Sequence, residues 1–183
     1  MRLFAGVELD AATRDASAHV QDRLRAAHFE ARYEPAEKLH VTLAFLGQVE
    51  PSQVPAVESA LDAVASQTPA FALTLDKLGA FSHEWRPRVI FIGARAQGAP
   101  FRNLVTALRG RYQAMGFTFV EDAVAHVTVA RVKGGSGRPL PLLDIAAMEL
   151  PVSTIVLFES LPDKQTTRYV VRHSAPLRAA AAD

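Results

Sequence analysis

The sequence predicts an α+β fold of mostly antiparallel strands with interspersed helices. Three observations carry this. Strand-like and helix-like stretches do not alternate strictly, strand-helix units recur, and one short motif stands twice on strand-like runs. The recurrence predicts two similar lobes.

Residues 3–9 form an apolar run with strand character, and after Asp10 the positions Val20, Leu24 and Ala27 recur at helical spacing among Arg and Asp. Residues 39–46 alternate as a strand and stop at Gly47. Val54, Val57, Leu61 and Val64 then mark a second helix that starts near Pro51 and Ser52. Between residues 70 and 94, two strand candidates at 71–75 and 89–92 are expected to pair as a long hairpin across Gly79, His83, Trp85 and Pro87. Phe101, Leu104, Leu108 and Met115 define a third helix ended by Gly116, followed by strand-like runs at 117–120 and 126–132. This material reads as a second copy of residues 40–64. Residues 133–139, rich in Gly, read as a loop, and two last strands are expected at 154–158 and 169–172. Residues 1–183 form a single bilobal domain on this reading, with a frayed tail at 179–183.

Hydrophobic residues make up 49% of the chain and charged ones 21%, so it buries a core and lies outside the regime of disorder. The formal charge of +1 excludes a protein that tracks a long polyanion; any nucleic acid it meets is a small piece. Without cysteine there is no disulfide, no thiolate metal site and no thiol nucleophile. Glu8 and Asp10 interrupt the first residues before a secretory apolar region forms, and no run of 18 apolar residues follows. The expected setting is cytoplasmic and soluble, and the near-neutral charge fits a monomer.

The sharpest signal is the pair His40-Val41-Thr42-Leu43-Ala44 and His126-Val127-Thr128-Val129-Ala130. With a side-chain period of two, each His shares a strand face with its Thr while the apolar partners face the other way. One copy would read as a satisfied sheet histidine beside a β-former, but two matching copies call for a shared purpose. A pseudo-twofold axis between the halves would bring both faces to one cleft, each giving an imidazole and a hydroxyl. Such a cleft suits in-line displacement at phosphorus: one imidazole acts as base beside the entering oxygen, the other as acid beside the leaving oxygen, and the hydroxyls donate to the non-bridging oxygens. This chemistry demands neither metal nor cofactor.

These motifs, with Arg2-Leu3-Phe4-Ala5, the Phe45-Leu46-Gly47 and Ala130-Arg131 that trail them, and the hairpin segments Gly79-Ala80-Phe81 and Pro87-Arg88-Val89, resemble the RNA 2',3'-cyclic phosphodiesterases, or 2'-5' RNA ligases, of the two-histidine (2H) phosphoesterase superfamily. The resemblance implies a bilobal α+β fold: a pseudo-twofold arrangement of two mostly antiparallel sheets, helices outside, and an active-site cleft between the lobes. It also implies metal-independent opening of a 2',3'-cyclic phosphate at an RNA 3' end or on a small cyclic nucleotide, leaving a 2'-phosphomonoester, with 2'-5' joining as the reverse reaction. Carried over by position, it makes His40 the proton donor to the 3' oxygen, His126 the general base on water, and Thr42 and Thr128 the phosphate-binding hydroxyls. Arg131 matches the motif's arginine and is expected to offset phosphate charge or stack on the base, although strict alternation puts it on the face opposite His126. Phe4, and more remotely Phe81, are candidate stacking platforms for the terminal base. One departure from the family stands near the C-terminus, where Ser160 and Leu161 are adjacent and Thr166-Thr167 replace the Gly expected before Tyr169.

His19 and His28 read as solvated or end positions of the first helix, His173 as lying past a terminal strand, and His83 as the one further His near a substrate. Glu121 and Asp122 are candidates to orient an imidazole, and Arg102, Arg109 and Arg111 read as a solvated basic helix face. Three alternatives share the motifs: a two-histidine enzyme for another substrate, such as an ADP-ribose cyclic phosphate or a 2'-5' oligonucleotide; a non-catalytic RNA-end binding module; and a metal-dependent hydrolase with His40 and His126 as ligands, which lacks an evident third ligand.

Overall fold

The computed structural model describes residues 1–83, 86–133, 138–163 and 166–179, with the side chains of His83 and Thr166 outside the described part. The chain order is β1 (Arg2–Glu8), α1 (Ala11–Ala26), β2 (Arg32–Tyr33), β3 (His40–Gln48), α2 (Val54–Ala65), β4 (Phe71–Leu75), β5 (Lys77–His83), β6 (Arg86–Gly93), α3 (Ala99–Ala114), β7 (His126–Arg131), β8 (Met148–Val152), β9 (Thr154–Asp163) and β10 (Thr166–Pro176). The predicted α+β class holds: every strand pair within the sheets is antiparallel. The main sheet runs β10-β9-β1-β3-β7-β6-β5, with β2 on β7, and β4 and β8 form a small second sheet.

Its two halves, β10-β9-β1-β3 and β7-β6-β5, are joined through one residue pair, Val41 with Val127. The two predicted sheets therefore meet edge to edge, and the strands that meet are the two that carry the motif.

The helices form where the sequence gives them a start and an apolar stripe. Asp10 caps α1, its Oδ1 accepting from the Thr13 amide at 2.9 Å, and Val20 and Leu24 turn inward to pack with β7 and β8. The helix stops when His28 takes a left-handed turn (φ 53°) that lets the Phe29 amide reach the Leu24 carbonyl at 3.0 Å, so His28 lies past the helix. Val57, Leu61 and Val64 of α2 pack toward α3, β9 and β10, while Phe101, Leu104 and Leu108 of α3 join the same core. Val41, Leu43, Val127 and Val129 are fully buried beneath this helical layer. The other face of the motif strands is left for the cleft. Among the described residues no helix is long and apolar enough to cross a membrane.

Three local expectations change. The hairpin of residues 70–94 pairs β5 with β6, while 71–75 leaves it to pair with β8, since Asp76 interrupts the run and a third strand, 77–83, supplies the partner. Residues 117–120 form no strand, and β8 appears where no strand was read. The expected loop and frayed tail include residues 134–137 and 180–183, which lie outside the described residues.

Candidate active site

The antiparallel pairing of Val41 with Val127, carried one residue each way, sets His40 across from Thr128 and Thr42 across from His126. All four line one cavity of about 790 Å³. The convergence expected of the two motif faces is thus a matter of sheet register, with the two strands side by side.

Each imidazole is oriented in the same way. His40 Nδ1 lies 2.6 Å from the Lys38 carbonyl and His126 Nδ1 lies 2.8 Å from the Val124 carbonyl, in both cases two residues back along the chain. A carbonyl only accepts, so Nδ1 carries the hydrogen and Nε2 of the neutral ring presents its lone pair. His40 Nε2 stands 3.1 Å from Thr42 Oγ1, which donates to it while the ring is neutral. Glu121 and Asp122, named above as candidate orienters, line the cavity but are replaced in that role by the Val124 carbonyl.

Both imidazoles are held below the ordinary histidine pKa. For His40 the main cause is burial; the Lys38 carbonyl opposes it, His126 and Arg131 push further down, and Glu34 pulls up. For His126 burial again leads, opposed by the Val124 carbonyl and reinforced by Arg131. Each ring therefore gives up its proton readily unless an anion enters the cleft.

Aromatic rings wall both histidines. Phe4, Phe158 and Tyr169 stand 4.9, 5.6 and 5.2 Å from the His40 ring, and Phe81 and Phe91 stand 4.8 and 5.5 Å from that of His126. Two glycines make room for them: a Cβ on Gly6 would meet Phe158 at 3.2 Å, and one on Gly79 would meet Phe91 at 2.6 Å. Phe4 lines the cavity but is only 3% exposed, packed against the His40 ring, whereas Phe45 on the same cleft is 48% exposed.

Arg131 does line the cavity, against strict alternation. In the β6–β7 register Phe91 opposes Thr128 and Ile90 opposes Ala130, so Val129 is an extra residue, a β-bulge that reverses the phase. In β3 the same thing happens: Gly6 opposes Thr42 and Ala5 opposes Ala44, leaving Leu43 extra and turning Phe45 onto the cleft. Phe45 and Arg131 thus occupy equivalent places after the two motifs, at opposite ends of the cleft because the strands are antiparallel. The Arg131 end has Arg32 and Lys38 nearby, and Arg131 Nε donates to Glu34 at 2.7 Å. The Phe45 end has Arg2 over the Phe45 ring, with Glu121 and Asp122 on the segment entering β7.

Sequence reasoning missed Glu34, Tyr169 and Thr167, which also line the cavity. Tyr169 pairs with Ser160 in the β9–β10 hairpin, so the hairpin that departs from the family pattern still reaches the cleft. The remaining candidates lie apart. His173 lies within β10, since the strand runs on to Pro176, and pairs with Asp62 at 2.7 Å; His19 borders a separate groove beside α1, and the His83 side chain lies outside the described residues. Arg109 is no solvated charge: its Nε donates to the Leu43 carbonyl at 3.1 Å. Among the described residues no group of three His, Asp or Glu side chains is placed to hold a metal ion.

Comparison with known proteins gives a consistent set of likenesses. Residues 7–91 match the family described as LigT like Phosphoesterase. A protein of Archaeoglobus fulgidus named RNA 2',3'-cyclic phosphodiesterase is 34% identical over 133 residues, 73% of each chain. Among solved structures, TT0787 of Thermus thermophilus superposes with a TM-score of 0.86 at 27% identity, over 98% of this chain and 99% of that one. LigT of E. coli, crystallised with 3'-AMP, gives a TM-score of 0.78 at 26% identity over 96% of this chain and 97% of the other.

Proposed function

The chain belongs to the LigT-like phosphoesterase family, and on that premise we propose that it hydrolyses the 2',3'-cyclic phosphate of an RNA 3' end to a 2'-phosphomonoester with its own side chains moving every proton. The observation that carries this reading is the pair of imidazoles on adjacent antiparallel strands, each tethered through Nδ1 with Nε2 left for the shared cavity.

Phosphorus sits between the two Nε2 atoms. His126 in its neutral form takes a proton from water, whose oxygen bonds to phosphorus; the bond from phosphorus to the 3' oxygen breaks, and protonated His40 delivers its Nε2 hydrogen to that oxygen. The hydroxyls of Thr42 and Thr128 donate to the non-bridging oxygens, and Arg131 offsets their charge. The cyclic phosphate monoanion itself favours the imidazolium on His40 that burial disfavours.

Pseudo-symmetry would allow the two histidines to exchange roles, but the cleft is not electrically symmetric. In-line geometry puts the ribose on the side of the acid and water on the side of the base. His40 faces the end with Arg131, Arg32, Lys38 and Glu34, which continues into a groove of about 510 Å³ where Arg32, Lys38, Lys133 and Arg168 outnumber Glu34, Glu37 and Asp163 by one. His126 faces the end with Glu121 and Asp122, where Arg2 is the one cation among the described lining residues. An RNA chain, charged at every phosphate, leaves by the basic end, and this favours His40 as the acid. Replacing either histidine by Ala tests the reading: turnover of a 2',3'-cyclic nucleotide is expected to fall by about 10² to 10⁴ for each. Unchanged turnover in either variant contradicts it.

A further inference from the structure

A bulged residue drops out of the ladder on one side, which leaves its carbonyl open to a donor from outside that strand pair. Here both bulges find one on a helix. Gln21 of α1, 5% exposed, donates from Nε2 to the Val129 carbonyl at 2.8 Å and to the Glu34 carbonyl at 2.8 Å, and the Glu34 amide donates to the same Val129 oxygen at 2.9 Å. Arg109 of α3 donates from Nε to the Leu43 carbonyl at 3.1 Å and from Nη1 to the Glu121 carbonyl at 2.6 Å.

The two arrangements correspond. Gln21 ties the bulge of the second motif strand to the segment that leads into the first motif, four residues before the Lys38 carbonyl that tethers His40. Arg109 ties the bulge of the first motif strand to the segment that leads into the second, three residues before the Val124 carbonyl that tethers His126. Unrelated side chains on different helices thus make the same cross-link on either side of the pseudo-twofold axis.

From this we infer that Gln21 is a positioning residue for the Arg131 end of the cleft: by pinning the Val129 bulge and residue 34 together, it holds both Arg131 and the Glu34 carboxylate that orients it. The bulge is what turns Arg131 onto the cleft face, and the 2.7 Å contact with Glu34 fixes where its guanidinium points. Arg109 does the same for the Phe45 end. The inference rests on the reading that Arg131 meets the substrate phosphate.

The test is a double-mutant cycle with Gln21→Met, which keeps the volume and removes both donors, and Arg131→Ala, read as kcat/KM on a 2',3'-cyclic nucleotide. Gln21→Met is expected to lower kcat/KM about tenfold, in the range found for coupled contacts, and to add less than about twofold once Arg131 is already Ala. Losses that multiply, or a Gln21→Met enzyme with wild-type kcat/KM, overturn the inference. If Arg131→Ala alone leaves kcat/KM unchanged, it is the role of Arg131 that fails, and the inference goes with it. Should Gln21→Met not fold, the unmodified chain answers: its Gln21 side-chain amide NMR signals are expected to shift on titration with inorganic phosphate, and that shift to vanish in Arg131→Ala. Gln21 signals that ignore phosphate, or that respond equally in Arg131→Ala, overturn it.

Discussion

Gly79→Ala offers a quantitative test of how the fold shapes the His126 side of the cleft. The new Cβ would stand 2.6 Å from Phe91 Cζ and 2.9 Å from Cε2, where carbon contacts ordinarily settle near 3.5 Å, so the ring must retreat by about 1 Å. It has little room. Phe91 is 7% exposed, with Phe81 at 4.4 Å and the His126 ring at 5.5 Å between ring centres. Overpacking of this kind costs about 1–3 kcal/mol, which for a chain of this size lowers Tm by about 2–12 °C. A displaced Phe91 also moves His126, and a misplacement near 1 Å costs about 10² in rate. Thermal melts and kcat on a cyclic nucleotide read both effects. Gly110→Ala in α3 is the control: nothing lies within 4 Å of the added carbon, so the helix-propensity gain of about 1 kcal/mol is expected to raise Tm by about 2–4 °C with kcat unchanged. A Gly79→Ala enzyme with wild-type Tm and kcat refutes the packing argument.

Burial holds both imidazoles below the ordinary value of about 6.5, so the pH optimum of kcat/KM, set by one protonated and one neutral ring in the free enzyme, is expected below that value; an optimum above about pH 7.5 contradicts it. The same depression links to stability. Below about pH 6.5 the unfolded chain binds protons that the native rings refuse, so this contribution is full above that pH and is lost on descent through the native values. Replacing both histidines by Gln should flatten the fall of Tm between pH 7 and 5, and an unchanged slope counts against it. Thr42→Val and Thr128→Val keep shape and remove a donor, so each should cost about 10² to 10³ in kcat with little change in Tm; losses under threefold in both remove the hydroxyls from the mechanism. Raising salt should depress kcat/KM more for an oligonucleotide ending in a cyclic phosphate than for a cyclic mononucleotide, and Arg168→Ala should narrow the gap between the two substrates. Equal salt slopes would deny that the RNA chain occupies the groove beside Arg168.

The motif pair was legible because strand alternation and local sequence identity survive without knowledge of the fold. His40, Thr42, His126 and Thr128 could be placed on one face from the period of two alone. Arg131 could not, because the β-bulge at Val129 exists only in the register with β6, and no residue type in Val129-Ala130 announces it. The burial of Phe4 could not be read locally either, because its ring neighbours Phe158 and Tyr169 lie in strands far along the chain. Glu34 and Gln21 gave no signal for a similar reason: their roles depend on where β2 and α1 meet the bulge. Residues 70–94 hold three strands where the sequence pattern shows two, since β4 and β5 are separated by Asp76 alone. Departure of the C-terminal hairpin from the family pattern does not remove Tyr169 from the cleft: it pairs with Ser160, and both line the cavity.

The measurement that bears most directly on the account is the product of hydrolysis. Chelator-treated protein is incubated with each 2',3'-cyclic nucleoside monophosphate, and the product is identified by phosphorus NMR. The account predicts a 2'-monophosphate, formed at the same rate before and after chelation, because His40 protonates the 3' oxygen and no step calls for a metal. A 3'-monophosphate, or activity abolished by the chelator and restored by a divalent cation, would contradict it.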